Sequence, residues 1–221
     1  AKQGYWNGLA IIRSHDNFVV QWGDPAEDPK NAKALGAATT KLPAEFSIQG
    51  FDKNSFHAMP DKDGWSKTAG FVAGFPAATN GKQTWMAHCY GDVGAGRGIE
   101  ADSSIGTELY VVTGQSPRQL DRNITSVGRV LQGMEYLSVL PRGTGPLGFY
   151  EKPEQYVPIK SIALASSLPA SEQVNLEVFR TDTKTFDALV ESRRNRKDDF
   201  YHTPAGHIDL CNIPIPVRVK K

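Results

Sequence analysis

The stretch Ile11-Ile12-Arg13-Ser14-His15-Asp16-Asn17-Phe18-Val19-Val20-Gln21-Trp22-Gly23-Asp24 holds two apolar runs either side of a polar bend. Leu9 to Ile12 and Phe18 to Trp22 read as short strands, because β-branched and aromatic residues dominate both. Ser14-His15-Asp16-Asn17 is the bend between them. Outward from this pair, similar runs occur at 84–90, 109–113, 124–131 and 157–165, each bounded by Gly, Pro, Asp or Asn. Their spacing is irregular and no internal repeat is visible. The pattern predicts a mainly β chain folded as an antiparallel barrel or sandwich.

The 221 residues contain 25 Lys plus Arg against 24 Asp plus Glu, a net charge of +1. That balance offers no electrostatic reason to bind nucleic acid or an anionic membrane. A hydrophobic content of 39% and a charged content of 22% are those of a globular chain rather than a disordered one. No apolar run reaches the roughly 18 residues of a transmembrane helix. The 21 Gly and 14 Pro point to many turns and short strands. Residues 47–83, with Gly, Pro, Asp and Asn scattered among single aromatics, read as a long ordered loop, and 141–156 as a second loop. Asn175 to Arg180 reads as a strand. Residues 183–196 read as a helix, with Thr181, Asp182 or Thr183 as its cap and Arg193, Arg194 and Arg196 near the negative end of its dipole. Pro214 and Pro216 then impose an extended chain. Cys89 and Cys211 read as two separate buried thiols, with pairing open to them in an oxidising compartment.

Several motifs are weak on inspection. Gly143-Thr144-Gly145-Pro146-Leu147-Gly148 matches a dinucleotide fingerprint in letters only, since Pro146 and Pro153 prevent the helix that must follow it; a turn-rich loop accounts for it. The five histidines lack metal-site spacing, His202 and His207 included, so no metal is expected and a metal hydrolase is a distant reading. Ser14, His15 and Asp16 are contiguous, and contiguous side chains point apart, so they form no nucleophile–base–acid relay.

Arg13 followed at fixed spacing by Phe18, Val19 and Gln21 resembles the signature of the cyclophilin family of peptidyl-prolyl isomerases, F-H-R, four residues, then F-M-x-Q-G-G-D. Trp22-Gly23-Asp24 stands where Gly-Gly-Asp is usual. Further blocks follow in the family's order: residues 42–46 (LPAEF), 88–97 (HCYGDVGAGR), 107–112 (TELYVV) and 120–134 (LDRNITSVGRVLQGM). Together they span about residues 5–165. Thr79 to Gln83 imitates one family block but would leave a long gap before Leu120, so the block is placed at 107–112 instead.

The resemblance implies a cyclophilin-like antiparallel β-barrel over residues 1–168, with a few short helices, a loop insertion at 47–84, and a C-terminal extension, 169–221, packing on the barrel. Family members carry about two strands and a helix before the region that starts this chain, so an N-terminal segment or separate chain is expected to complete the barrel, the strand–helix pair of the tail being the alternative. The implied activity is cis–trans isomerisation of Xaa–Pro bonds in polypeptide substrates, assisting folding, without a cofactor or covalent intermediate. Arg13, Phe18 and Gln21 take the catalytic positions. Val19, Gly96, Arg97, Glu108, Tyr110, Gln119, Leu120 and Ile124 take the substrate-binding ones. The site departs from the family: Glu108 replaces a glutamine, Tyr110 a phenylalanine, Gln119 a tryptophan and Ile124 a histidine, Val19 stands at a methionine, and Ala95-Gly96-Arg97 stands for Met-Ala-Asn. Those departures motivate a second reading, a non-catalytic proline-peptide-binding or chaperone module. The chain resembles a divergent bacterial member, for which a periplasmic or otherwise exported location is expected, with the cytoplasm as the alternative.

Overall fold

The structure, a computed structural model, describes residues 1–26, 28–39, 42–115 and 117–220. Among them are thirteen strands and two α-helices, so the chain is mainly β. The first half contains β1 (Ala10–Ser14), β2 (Val19–Gly23), β3 (Ile48–Gln49), β4 (Phe56–Ala58), β5 (Thr68–Val72), β6 (Phe75–Thr79), β7 (Gln83–Met86), β8 (Asp92–Ala95) and β9 (Leu109–Val112). Then come β10 (Ser126–Arg129), α1 (Met134–Ser138), β11 (Val157–Pro158), β12 (Leu176–Val178), α2 (Lys184–Arg194) and β13 (Val217–Val219). None of the helices is long and apolar enough to cross a membrane. The chain divides into two compact units, Ala1–Phe46 with Tyr90–Val174, and Ser47–Cys89 with Asn175–Lys221.

The first unit is built on an antiparallel sheet of order β10-β8-β9-β2-β1-β11. Its strand pairs do not run round into a ring among the described residues; the sheet ends at β10 and β11. Register places Val19 opposite Val112 and Gln21 opposite Tyr110, with Gly94 beyond Tyr110 on the next strand. Paired residues share a face, so these side chains lie on one side of the sheet. Gly94 is required there: a Cβ would fall 2.2 Å from the Tyr110 ring. Val19, Tyr110 and Val112 are buried together, and Phe18, Leu120 and Ile124 pack against them. Of the expected strand at 157–165 only Val157 and Pro158 are strand, and two more backbone bonds tie Ile159 to Gly8 and Leu9.

The second unit corrects the reading of 47–83 as a loop. That stretch supplies four strands, β3 to β6, which with β7, the strand expected at 84–90, pair in the order β3-β7-β6-β5-β4. Two tight reversals make it. Ala73 and Gly74, both at positive φ, turn β5 into β6, as two-residue hairpins require. At the next turn Asn80 Oδ1 accepts from the N–H groups of Lys82 and Gln83, and Gly81 takes φ 89°. The short strands are rich in Ala and Gly, which carry little strand signal.

The tail belongs to this unit. Thr183 caps α2, its Oγ1 accepting from the N–H of Phe186. α2 ends before Arg196, so only Arg193 and Arg194 of the three expected arginines lie in its last turn. Phe186 is fully buried against Phe71, Val190, Leu210 and Ile213. β12 pairs with β13 alone, so the tail strand is no part of the six-stranded sheet. The two cysteines are not separate thiols: Cys89 and Cys211, 122 residues apart, form a disulfide inside this core.

Candidate active site

Arg13 lies on β1 directly opposite Gln21 on β2. A bulge between Ile11 and Arg13 sets which face the arginine occupies, since one inserted residue re-aims every later side chain. Three contacts hold the guanidinium. Nε donates to the Leu147 carbonyl at 2.7 Å, and Nη1 to Gln21 Oε1 at 3.0 Å. Nη2 lies 3.0 Å from His15 Nδ1. Two rings flank it, Phe18 at 5.6 Å and Phe149 at 5.1 Å from the guanidinium carbon, a distance at which ring quadrupoles attract a cation. Burial pulls the guanidinium below its ordinary range and Glu108 pushes the other way; an arginine so placed stays a cation.

Gln21 is itself oriented. Its Nε2 donates to Glu108 Oε2 at 2.5 Å, so the amide is pinned between a cation and an anion. Gly23 and Gly96 make room for Glu108: a Cβ at Gly23 would lie 2.7 Å from Glu108 Cγ, and one at Gly96 3.2 Å from Glu108 Cβ. The N–H of Gly96 also bonds the Glu108 carbonyl.

Beside this polar chain lies the apolar cluster. Val19 and Tyr110 are almost wholly buried, at 2% and 4% exposure, while Phe18, Leu120 and Ile124 are only half-buried. The accessible apolar surface therefore comes from Phe18, Leu120 and Ile124, with Val19 and Tyr110 beneath. Phe18 joins Val19 in one cluster because it lies in the turn before β2, not on the strand, so the alternation of strand side chains does not apply to it. Burial, with Asp92 and Asp121 nearby, drives the Tyr110 hydroxyl far above the ordinary phenol range, so the ring stays neutral.

Two expected residues lie outside the Arg13–Gln21–Glu108 chain of hydrogen bonds. Arg97 donates to the carbonyls of Asn123, Gly98 and Ile99 and covers the Phe46 ring, fixing its own loop. Gln119 is exposed on the turn Arg118–Leu120. Conversely, sequence reasoning passed over His15, Leu147 and Phe149. His15 lies within the decisive stretch, one residue past the end of β1 and two from Arg13. Leu147 and Phe149 come from a loop more than 130 residues away, and no local signal connects them to Arg13. Among the described residues no three His, Cys, Asp or Glu side chains are grouped to hold a metal ion.

A mainly β protein that clamps one guanidinium beside a half-open apolar surface has the equipment of a prolyl isomerase. Residues 1–164 match the model of the cyclophilin type peptidyl-prolyl cis-trans isomerase/CLD family, and the chain belongs to that family. It is a peptidyl-prolyl isomerase with proline-containing polypeptides as substrates. Among solved structures it is similar to the crystal structure of cyclophilin AquaCyp293 from Hirschia baltica, with a TM-score of 0.73 and 22% identity over 99% of this chain and 79% of that one. No curated protein matches the chain.

Proposed function

We propose that Arg13 is the catalytic group and that the surface of Phe18, Leu120 and Ile124 seats the substrate proline. An Xaa–Pro bond resists rotation by about 18–20 kcal/mol because the nitrogen lone pair is shared with the carbonyl. As the bond twists, the nitrogen becomes pyramidal and its lone pair turns into a hydrogen-bond acceptor. A guanidinium N–H donated to that nitrogen binds the twisted state and hardly binds the planar one, which is the condition for lowering the barrier. Three of the five N–H donors of Arg13 are engaged by Leu147, His15 and Gln21, which leaves two for substrate. The prolyl ring is apolar and gains by leaving water against Phe18, Leu120 and Ile124, with Val19 and Tyr110 backing them. Glu108 acts through Gln21, holding its amide so that Oε1 faces Arg13. Gly96 keeps the wall beside Glu108 low enough for a peptide backbone, while Arg97 and Gln119 border the site.

The observation that carries this reading is the three-point hold on Arg13 beside the apolar cluster. Exchange spectroscopy on an Xaa–Pro peptide, with and without catalytic amounts of protein, tests it. The expected result is accelerated cis–trans exchange. Saturable binding with exchange at the uncatalysed rate would instead support a proline-peptide holdase, the reading favoured by the altered Glu108, Gln119 and Ile124.

The same proposal has the six-stranded sheet closing into a barrel through strand pairing at its β10 and β11 edges. An oxidising, exported location is part of it too, supported by the Cys89–Cys211 disulfide.

A further inference from the structure

We propose that His15 is a positioning residue for Arg13 and that its neutral form is required for full isomerase turnover, so that protonating this one imidazole switches the enzyme down. The inference rests on the role of Arg13 given above and adds a residue and a control to it.

The chemistry follows from the contact itself. Arginine has donors and no acceptor, so across the 3.0 Å between Nη2 and Nδ1 the histidine must accept. Nδ1 therefore carries a lone pair, and the ring proton is on Nε2. An imidazolium has N–H at both positions and cannot accept at all. Protonation thus turns a hydrogen bond into two donors facing each other, and adds a second positive charge beside a guanidinium that is already partly removed from water.

His15 has little freedom to relieve this conflict. Its N–H bonds the Val19 carbonyl and its carbonyl receives the N–H of Phe18, so its backbone closes the turn between β1 and β2. Its ring packs edge-on against Phe18 at 5.3 Å. Gly148 lies against its backbone so closely that a Cβ there would fall 2.6 Å from His15 Cα. The yielding partner is the long Arg13 side chain, whose placement the proposed function requires.

The charged groups on the surrounding elements are few. Arg13 lies on β1, two residues before His15. Asp16 is next in the turn and pairs with Arg142 from the following loop at 3.1 Å. Glu108, on the far side of Gln21, is already bonded to that amide. Among the described residues no carboxylate pairs with His15, whereas the Arg13 guanidinium faces it directly.

The test is kcat/KM for an Xaa–Pro peptide, read by exchange spectroscopy from about pH 5 to about pH 8, the span over which histidines change charge. In the wild type, kcat/KM falls about tenfold toward the acid end with the slope of one proton, the size expected for losing one charge-assisted hydrogen bond to Arg13. H15A loses about tenfold at the alkaline end and its profile is flat. H15Q restores an acceptor that cannot charge; it loses only about threefold at the alkaline end and is also flat. A flat wild-type profile, or an acid limb that persists in H15Q, overturns the proposal. The Arg13 Nε–H resonance gives a second reading on the unmodified protein, one that no folding defect can cloud: it must shift with the same midpoint as the His15 ring protons, and unlinked midpoints overturn the proposal. R13A at the alkaline end separates the two levels. Full activity in R13A would sink the reading of the site itself, whereas an inactive R13A with a persistent acid limb in H15Q sinks only the role of His15.

Discussion

Gln21 receives an N–H from Arg13 and donates its own to Glu108, so a single amide fixes the distance between a cation and an anion. Glu108→Leu removes the acceptor and lets the amide rotate; kcat/KM should drop about tenfold, while Glu108→Gln, which still offers a carbonyl, should lose less. Steady-state isomerase kinetics on both variants check this, and equal losses would mean that the negative charge matters more than the hydrogen bond. Gly148→Ala should also impair turnover, because a methyl there meets the backbone of His15 and pushes away the loop whose Leu147 carbonyl holds Arg13. At this scale the sequence was half legible. Arg13, Phe18 and Gln21 came from the resemblance of this stretch to the cyclophilin motif. Leu147 and Phe149 could not be read, since Phe149 reaches Arg13 through an isolated bridge formed by chain segments far apart in sequence. The burial of Val19 and Tyr110, which separates backing from contact surface, is likewise a property of packing and leaves no mark on spacing.

Strands β1, β2 and β9 were visible in the sequence because each is an apolar, β-branched run with clear punctuation. Strand β7 was expected too, but β3 to β6 were not, although Asn80-Gly81 between paired strands is the strongest short-range hairpin signal. Its strands are short, and Ala69, Gly70, Ala77 and Ala78 carry no period that distinguishes a strand from a loop. Those small residues have a packing reason: a Cβ on Gly70 would fall 2.2 Å from the His57 carbonyl. Helix α2 was expected from local signals, with Thr183 among its three candidate caps, though it ends at Arg194 rather than 196. Thr183→Ala should lower the stability of its unit by about 1 kcal/mol, the usual cost of an N-cap hydroxyl. Phe186→Ala should cost about 3–5 kcal/mol, since it empties a fully buried aromatic site. Urea unfolding followed by α2 helicity measures both, and a Phe186 variant as stable as the wild type would contradict the core described here.

The two compact units differ in what stabilises them. The unit of Ser47–Cys89 and Asn175–Lys221 has a disulfide across 122 residues, whose removal should cost about 2–5 kcal/mol. Cys89→Ser with Cys211→Ser should therefore lower its Tm, and reductant should do the same to the wild type and nothing further to the variant. The same unit has an acid-sensitive clasp. Asp61 accepts two N–H groups from Arg194 and the backbone N–H of Ile208, which holds its carboxyl below the usual aspartate range. A carboxyl whose pKa is lower folded than unfolded stabilises the fold above the unfolded value, about 3.9, and loses that contribution as pH falls through the folded value. The wild type should therefore lose stability below about pH 4, and Asp61→Asn should show less of that acid loss and lower stability at neutral pH. An unchanged acid transition in Asp61→Asn would remove Asp61 from the account. The pairing of the cysteines and of Asp61 with Arg194 both depend on how the 47–89 stretch and the tail come together, which is why neither could be read along the chain.

The central claim is that the clamped guanidinium of Arg13 acts on the twisted Xaa–Pro bond and not on the resting peptide. Exchange spectroscopy on one Xaa–Pro peptide, with wild type, Arg13→Ala and Arg13→Lys, reads rate and affinity in a single sample. The account predicts that both variants still bind the peptide within a few-fold of wild type yet lose about 100-fold or more in exchange rate, lysine failing because it lacks the planar fork. Exchange at the wild-type rate in Arg13→Ala, with the fold intact, would contradict it.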